Sequence, residues 1–415
     1  MSVEQVCAAA QRASRVMAGL TRARKDEALE AVADALDRRA AEILAENDED
    51  LRLARKAKLE GALVDRLRLD EDRLADIAAS VRTLQALPDP VGQIVDGWRL
   101  ENGIEVRRVR VPLGVIAVIY EARPNVTVDA ACLCLKTGNA VILRGGSAAL
   151  HSNRILSEVV QGALLEAGLP REAVMYLTPD REQLYELLQQ RKYVDLIIPR
   201  GGEELKEYLQ EHSKVPVIYA AGGNCHIYVD ATGSVDMAVP IIVNAKCQRP
   251  GVCNAAETLL VHKDVAEALL PRAAEELKRR DVELVVDKTA AEIIGDHTLK
   301  RANKTHYETE FLALKLAVRV VDSLDEALEH IATYSTRHSE AIITEDLAAA
   351  RRFSAEVDAA CVYVNASTRF TDGGQFGLGA EMGISTQKLH VRGPIALQEL
   401  TSVKYELWGD GQVRG

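Results

Sequence analysis

The chain has 415 residues, 47% of them hydrophobic and 27% charged, a globular composition. With 62 acidic against 51 basic residues its net charge is −11, which disfavours nucleic acid or an anionic membrane surface as main partner. The length exceeds what one hydrophobic core organises, so two or three domains are expected.

Met1 to Leu20 lacks the basic segment, apolar run and cleavage site of a secretory leader. No apolar run approaches the roughly 18 residues that a membrane helix needs. The 7 cysteines are odd in number and contain no Cys-x-x-Cys pair. Reduced thiols in a cytoplasm are expected, with no structural zinc and no other metal site.

In chain order, Thr21 to Leu87 reads as amphipathic helices, with Leu29, Val32, Ala33, Leu36, Ala40, Ile43 and Leu44 at helical spacing. Asn47 and Asp48 are expected to break that run. Pro88 and Pro90 close it. Ile94 to Leu100 and Ile104 to Val111 flank Asn102-Gly103, a strong hairpin signal. Gly114 to Tyr120 is continuously apolar, as a strand buried on both faces should be.

The alternation that follows predicts a parallel sheet with crossover helices. Helices are expected at 127–136, 153–167, 182–190 and 203–212. Strands are expected at 140–143, 173–177, 194–198 and 217–219. Three glycine segments close strands here: Arg144-Gly145-Gly146-Ser147, Arg200-Gly201-Gly202, and Gly222-Gly223. Glycines at strand ends let a ligand approach the backbone, and helix N-termini attract phosphate. Tight turns need glycine anyway, and none of these is a G-x-G-x-x-G fingerprint. Arg144 offers a guanidinium suited to a bidentate phosphate contact; a solvated surface arginine is the alternative.

Some thirty residues beyond Gly222-Gly223 comes the stretch Asn244 to Ala255, read as a loop between apolar segments. It carries Cys253 between Val252 and Asn254. A cysteine displayed in such a loop suits acyl chemistry, because a thiolate attacks carbonyls well and leaves readily. A buried small hydrophobe is the bland alternative.

Four stretches carry a resemblance to a known family: Tyr120 to Val126, Tyr219 to Asn224, Gln248 to Asn254, and Val321 to Ile342. The chain resembles the aldehyde dehydrogenase superfamily along nearly its whole length, and within it the gamma-glutamyl phosphate reductases. The last stretch, ending in His338-Ser339-Glu340-Ala341-Ile342, is the most specific. His338 itself reads as structural rather than as a base or metal ligand.

The resemblance implies an α/β fold: a parallel-sheet cofactor domain, an α/β catalytic domain and a small oligomerisation flap. The corresponding boundaries are 1–97 and 113–225, 226–390, and 98–112 with 391–415. It implies Cys253 as the catalytic thiol and NADPH/NADP as cofactor. Arg144 falls near the adenosine ribose, with Gly145, Gly146, Ser147, Arg200, Gly201, Gly202, Gly222 and Gly223 around the cofactor. The cofactor-ribose glutamate falls on Glu308 or Glu310, of which Glu310 is preferred. Arg123, Arg249 and Asn365, together with Asn125, become candidates to hold the substrate. The implied reaction is reduction of L-glutamyl 5-phosphate to L-glutamate 5-semialdehyde through a thioacyl enzyme, in proline biosynthesis. A cytoplasmic homo-oligomer is implied, and association with glutamate 5-kinase stays open.

Two departures from general aldehyde dehydrogenases bear on the chemistry. Their water-activating glutamate falls on Ala220, in Ala220-Ala221-Gly222-Gly223, so no carboxylate is supplied for hydrolysis. Their oxyanion amide falls on Ala122, leaving Asn125 or the Cys253 backbone N–H for that task. A hydrolytic aldehyde dehydrogenase and a non-catalytic paralogue are the rival readings.

Overall fold

The apolar run Val115–Tyr120 is a strand buried at every residue. It lies inside the first of two units into which the computed structural model divides. Residues 1–59, 61–220 and 222–415 are described; Ala221, the neighbour of the expected base position, lies outside them.

Unit 1 comprises Met1–Tyr219, Gly377–Gly383 and Ile395–Gly415. Its strands are β1 (Ile94–Arg99), β2 (Glu105–Pro112), β3 (Val115–Tyr120), β4 (Ala140–Arg144), β5 (Val174–Tyr176) and β6 (Leu196–Arg200). The four-stranded parallel sheet runs β5-β4-β3-β6. The chain builds outward from β3 to β5 and then returns to place β6 on the far side of β3. Such a reversal opens a crevice at the strands' carboxyl ends. The helix Asn125–Lys136 links β3 to β4, and Leu150–Glu166 links β4 to β5. Val217 makes only a single bridge to Ile197, where a strand was expected.

The hairpin β1-β2 forms around Asn102-Gly103, with Gly103 at φ +92°. The C-terminal strand Thr401–Trp408 adds to β2, making a separate three-stranded antiparallel sheet. Trp98, Val106 and Leu407 align across its three strands.

One helical expectation is corrected. The helix Ala40–Lys56 runs straight through Asn47 and Asp48, and the break falls at Arg39. Asn47 is fully buried and spends its amide on Leu67 O, Leu69 N and Ser152 Oγ, at 2.8, 2.8 and 3.0 Å. Tertiary partners thus satisfy a side chain that in isolation would favour a cap.

Unit 2 comprises Ala220–Phe376 and Ile384–Pro394. Its strands are β7 (Cys225–Val229), β8 (Ala256–His262), β9 (Glu283–Val286), β10 (Lys300–Arg301), β11 (Lys315–Val321), β12 (Ser339–Ile343) and β13 (Cys361–Val364). They form one parallel sheet, β10-β9-β11-β8-β7-β12-β13. The division at Tyr219/Ala220 and the return of Gly377–Gly383 to unit 1 both differ from the sequence boundaries. Asn244 to Cys247, read as loop, closes the helix Val235–Cys247, which tolerates Pro240.

That helix ends in a buried ion pair. Lys246 Nζ lies 2.7 Å from Glu257 Oε2, and both side chains are 0% exposed. The other carboxylate oxygen accepts the Leu312 N–H at 3.1 Å. Burial pushes the Glu257 carboxyl up to about 7 and the Lys246 ammonium down, each against the pull of its partner. Removing one member of such a pair leaves a buried charge uncompensated. Lys246→Met is expected to destabilise unit 2 by about 3–5 kcal/mol. Lys246→Met with Glu257→Gln, which keeps the acceptor for Leu312, should recover most of that. Thermal denaturation of the three proteins decides; equal losses in single and double variants would refute the pairing argument.

Candidate functional site

Cys253 sits on a turn immediately ahead of β8, where Ala255 N–H donates to Val252 O at 3.1 Å. Its side chain is half-buried. The turn is gripped from three directions, all within unit 2. Asn254 Nδ2 donates to Thr371 O at 2.8 Å, and Thr368 Oγ1 donates to Asn254 O at 2.6 Å. The Cys225 thiol, at the start of β7, donates to Cys253 O at 3.2 Å. Gly223 closes the third side: a β-carbon there would meet Cys253 O at 1.5 Å, so only glycine fits.

Arg369 was not foreseen. Its Nε donates to Gln248 Oε1 at 2.7 Å and its Nη1 to Asn254 Oδ1, so it spans the loop on both sides of Cys253. Burial lowers its pKa, the Arg249 charge adds to that lowering, and Cys253 opposes it. Arg249 is exposed beside it. A guanidinium coupled to a thiol favours the thiolate and offers a partner to an anionic leaving group. The sequence signal was faint: an arginine in a Ser/Thr turn 116 positions along the chain from Cys253.

By contrast, the Cys225 and Cys247 thiols are pushed up by burial. Burial likewise raises Cys7 to about 12 and pushes Cys132 and Cys134 higher still. These are inert positions for a nucleophile.

Gly222 and Gly223 meet Glu310. Its Oε1 accepts the Gly223 N–H at 2.6 Å, and a β-carbon on Gly222 would stand 2.4 Å from Oε2. Glu308 instead pairs with Lys304 at 3.5 Å on the surface. Of the two glutamates open in the sequence, Glu310 is the one gathered with the glycines. A carboxylate so held suits the hydroxyls of a cofactor ribose.

Asn365 bonds Thr344 twice. Its amide oxygen accepts Thr344 N–H and its amide nitrogen donates to Thr344 O, both at 2.9 Å. It adopts φ +56° and clamps the loop after β13. These bonds build the loop and leave one amide hydrogen for another acceptor. Ala220 pairs with Ser385 in an isolated bridge and carries only its methyl.

In unit 1, the segments expected near a cofactor lie at the carboxyl ends of β4 and β6. Gly146 and Gly201 both pack on Glu121, just beyond β3. Gly145 is required by Asn153, whose amide would be 2.0 Å from a β-carbon there. Ser147 is exposed, and Gly202 caps the helix Glu203–His212 with no side-chain bond. Arg144 makes one long contact, Nη2 to Asp180 O at 3.4 Å, while its buried Nε has no hydrogen-bond partner. Burial lowers its pKa. A desolvated guanidinium with an unused donor fits an anion such as a ribose phosphate.

Arg200, expected beside the cofactor, lines a cavity of about 50 Å³ together with Arg123, Asn125, Asp129 and Glu381. Asn125 is the first residue of its helix and donates Nδ2 to Asp129 Oδ2 at 2.9 Å. One amide hydrogen therefore remains for another acceptor. Burial pushes the Asp129 carboxyl up to about 6, opposed by the Asn125 bond and the Arg200 charge. No cluster of metal-ligating side chains exists among the described residues, and none of their helices is long and apolar enough to cross a membrane.

Comparison with known proteins agrees with this geometry. The sequence profile of the aldehyde dehydrogenase family matches residues 1–297. A gamma-glutamyl phosphate reductase of Moorella thermoacetica is 54% identical over 98% of this chain and 97% of its own length. One from Thermobifida fusca is 52% identical over 99% and 98%. The crystal structure of a gamma-glutamyl phosphate reductase from Thermotoga maritima covers 100% of both chains with a TM-score of 0.97 and 45% identity. An acetylating aldehyde dehydrogenase from Geobacillus thermoglucosidasius, 18% identical with a TM-score of 0.70, shares the fold. The chain is therefore an oxidoreductase that belongs to the aldehyde dehydrogenase family and, within it, to the gamma-glutamyl phosphate reductases.

Proposed function

We propose that this chain reduces L-glutamyl 5-phosphate to L-glutamate 5-semialdehyde with NADPH, releasing phosphate, as a step of proline biosynthesis. The observation that carries the reading is Cys253, half-buried on a braced turn with Arg369 and Arg249 beside it. The names of the full-length relatives support the substrate.

Cys253 Sγ attacks the acyl carbon, and the carbon–oxygen bond to phosphate breaks as the tetrahedral adduct collapses. Arg369 and Arg249 stabilise the departing anion. The Cys253 backbone N–H is the donor offered to the oxyanion beside the sulfur. Bound NADPH supplies the hydride that reduces the thioester. Arg144, with its unused buried donor, is the group fitted to hold the cofactor's ribose phosphate. The thiohemiacetal then releases the aldehyde and returns the sulfur as thiolate. Ala220 provides no base for water, so the thioester waits for hydride, or for phosphate in the reverse direction. That methyl speaks against a hydrolytic aldehyde dehydrogenase, and the braced, half-buried Cys253 speaks against a non-catalytic paralogue. All seven cysteines lack disulfides, which supports a reducing cytoplasm.

The substrate and nucleophile are tested together. Cys253→Ser should lose at least three orders of magnitude of turnover, as removal of a covalent nucleophile does, while Cys247→Ser keeps most of it. Wild-type enzyme given semialdehyde and NADP⁺ should turn over only when phosphate or arsenate is added. Rapid glutamate formation without either would reinstate the hydrolytic reading.

Cofactor choice is tested at Arg144. A lost charge-assisted contact is worth about 1.5–3 kcal/mol, or roughly 10- to 150-fold. Arg144→Ala should raise KM for NADPH by that factor and leave KM for NADH nearly unchanged. Equal effects on both would place Arg144 away from the ribose phosphate.

The three-stranded sheet supports assembly with a second copy of this chain. Trp98 and Leu407, on its two edge strands, are 45% and 60% exposed. Unpaired edges with apolar side chains are normally covered. Light scattering should give a multiple of the chain mass, and Trp98→Glu with Leu407→Glu should lower it. A wild-type mass of one chain would refute the assembly.

A further inference from the structure

Resting on the reading of Cys253 as nucleophile, a neighbouring thiol acquires a task of its own. Cys253 and Asn254 are the two central residues of the turn closed by Ala255 N–H and Val252 O. The peptide between such residues can flip between type I and type II arrangements while the turn's ends stay in place. The type II form needs positive φ at its second central residue, and asparagine tolerates that better than most. Asn254 keeps a negative φ here. The flip would turn the Cys253 carbonyl and the Asn254 N–H over, taking that carbonyl away from Cys225 and Gly223.

What holds the peptide in its present orientation is the Cys253 carbonyl. That oxygen accepts the Cys225 S–H at 3.2 Å and lies against Gly223. Cys225 is fully buried, and burial keeps its sulfur protonated and therefore a donor. The thiol is anchored from behind. The Ser339 backbone hydrogen-bonds to it, and His338 Nδ1 lies 3.9 Å from its sulfur. His338 Nδ1 in turn bonds Ser339 Oγ at 2.8 Å. Ser339 Oγ bonds Thr371 Oγ1 at 2.6 Å, and Thr371 Oγ1 bonds Tyr363 OH at 2.7 Å. The same Thr371 accepts the Asn254 amide through its carbonyl. The chain of polar groups thus begins and ends on the nucleophile turn.

We infer that Cys225 is a positioning residue: its thiol hydrogen holds the Cys253 carbonyl and so keeps the nucleophile turn seated on the start of β7. The lock is a hydrogen bond, so a donor of similar size should replace it and an inert group should not.

The test compares Cys225→Ala with Cys225→Ser, reading kcat, KM and the rate of Cys253 alkylation by iodoacetamide mapped by mass. Loss of one buried hydrogen bond predicts a fall on the order of tenfold in kcat and in alkylation for the alanine variant. KM should stay nearly constant. The serine variant should recover to within about threefold, since its hydroxyl can still donate. An alanine variant with wild-type kcat and alkylation overturns the inference. Equal losses for alanine and serine do so too, since they mean that sulfur only fills space. A rise in KM with unchanged kcat also overturns it. Should the alanine variant not fold, Cys225→Val fills the volume without a donor and carries the same comparison. Failure of the nucleophile reading is separate, because it would show as retained turnover in Cys253→Ser.

Discussion

A β-carbon on residue 223 would stand 1.5 Å from the Cys253 carbonyl oxygen, far inside any van der Waals contact. The site in unit 2 is organised by that missing atom. Because residue 223 has no side chain, the backbone leading into β7 packs directly on the turn leading into β8. Its N–H also reaches Glu310 at 2.6 Å. One glycine therefore fixes the distance between the Cys253 loop and a carboxylate held 57 positions beyond Cys253. The site sits at the amino ends of β7, β8 and β12, where Cys225, Cys253 and His338-Ser339 converge. Parallel pairing of these three strands brings their lead-in loops to the same side.

Electrostatics follow from the same packing. The loop from Cys247 to Ala256 is bracketed by Lys246 and Glu257, paired with each other and fully buried. The two charges contribute little net field outside, yet they fasten both ends of the loop to one point. The charge coupled to the thiol is that of Arg369 instead. Rigid ends and a partly exposed centre are what a covalent catalyst needs: the sulfur must be reachable, and its direction must not wander.

Much of this was legible in the sequence because it rests on local chemistry. The apolar runs at Val115–Tyr120 and Ala140–Arg144 became buried strands, and Asn102-Gly103 made its hairpin. Cys253 stood out from its small neighbours as a candidate, with a buried small hydrophobe as the alternative reading, and the family resemblance decided between them. What stayed hidden depends on residues distant along the chain. Asn47 was read as a helix breaker because its partners, Leu67, Leu69 and Ser152, are unknowable from its neighbours. Nothing local reveals that Thr344 takes both ends of the Asn365 amide either. Arg369 gave almost no signal, and the choice between Glu308 and Glu310 needed the glycines they compete for.

The stretch from Val321 to Ile342 shows why a mostly polar segment can identify a fold. Ser323 caps its helix by accepting Glu326 N–H at 3.2 Å. His330 Nδ1 meets Arg319 Nη1 at 2.8 Å, and Ser335 Oγ donates to Glu340 Oε1 at 2.5 Å. Glu340, fully buried, also holds the His226 backbone and ring at 2.8 and 3.0 Å. Tyr334 O and Thr336 Oγ1 take up Asn224, the residue just after Gly223. Asn224, His226, His330 and Glu340 are buried, and each would be costly if its partner were lost. An apolar core accepts many substitutions of similar volume, but a buried polar lattice accepts few, because every member completes another's hydrogen bonds. The segment is specific in sequence because it is the wall against which Asn224, and through it the glycine turn over Cys253, is set.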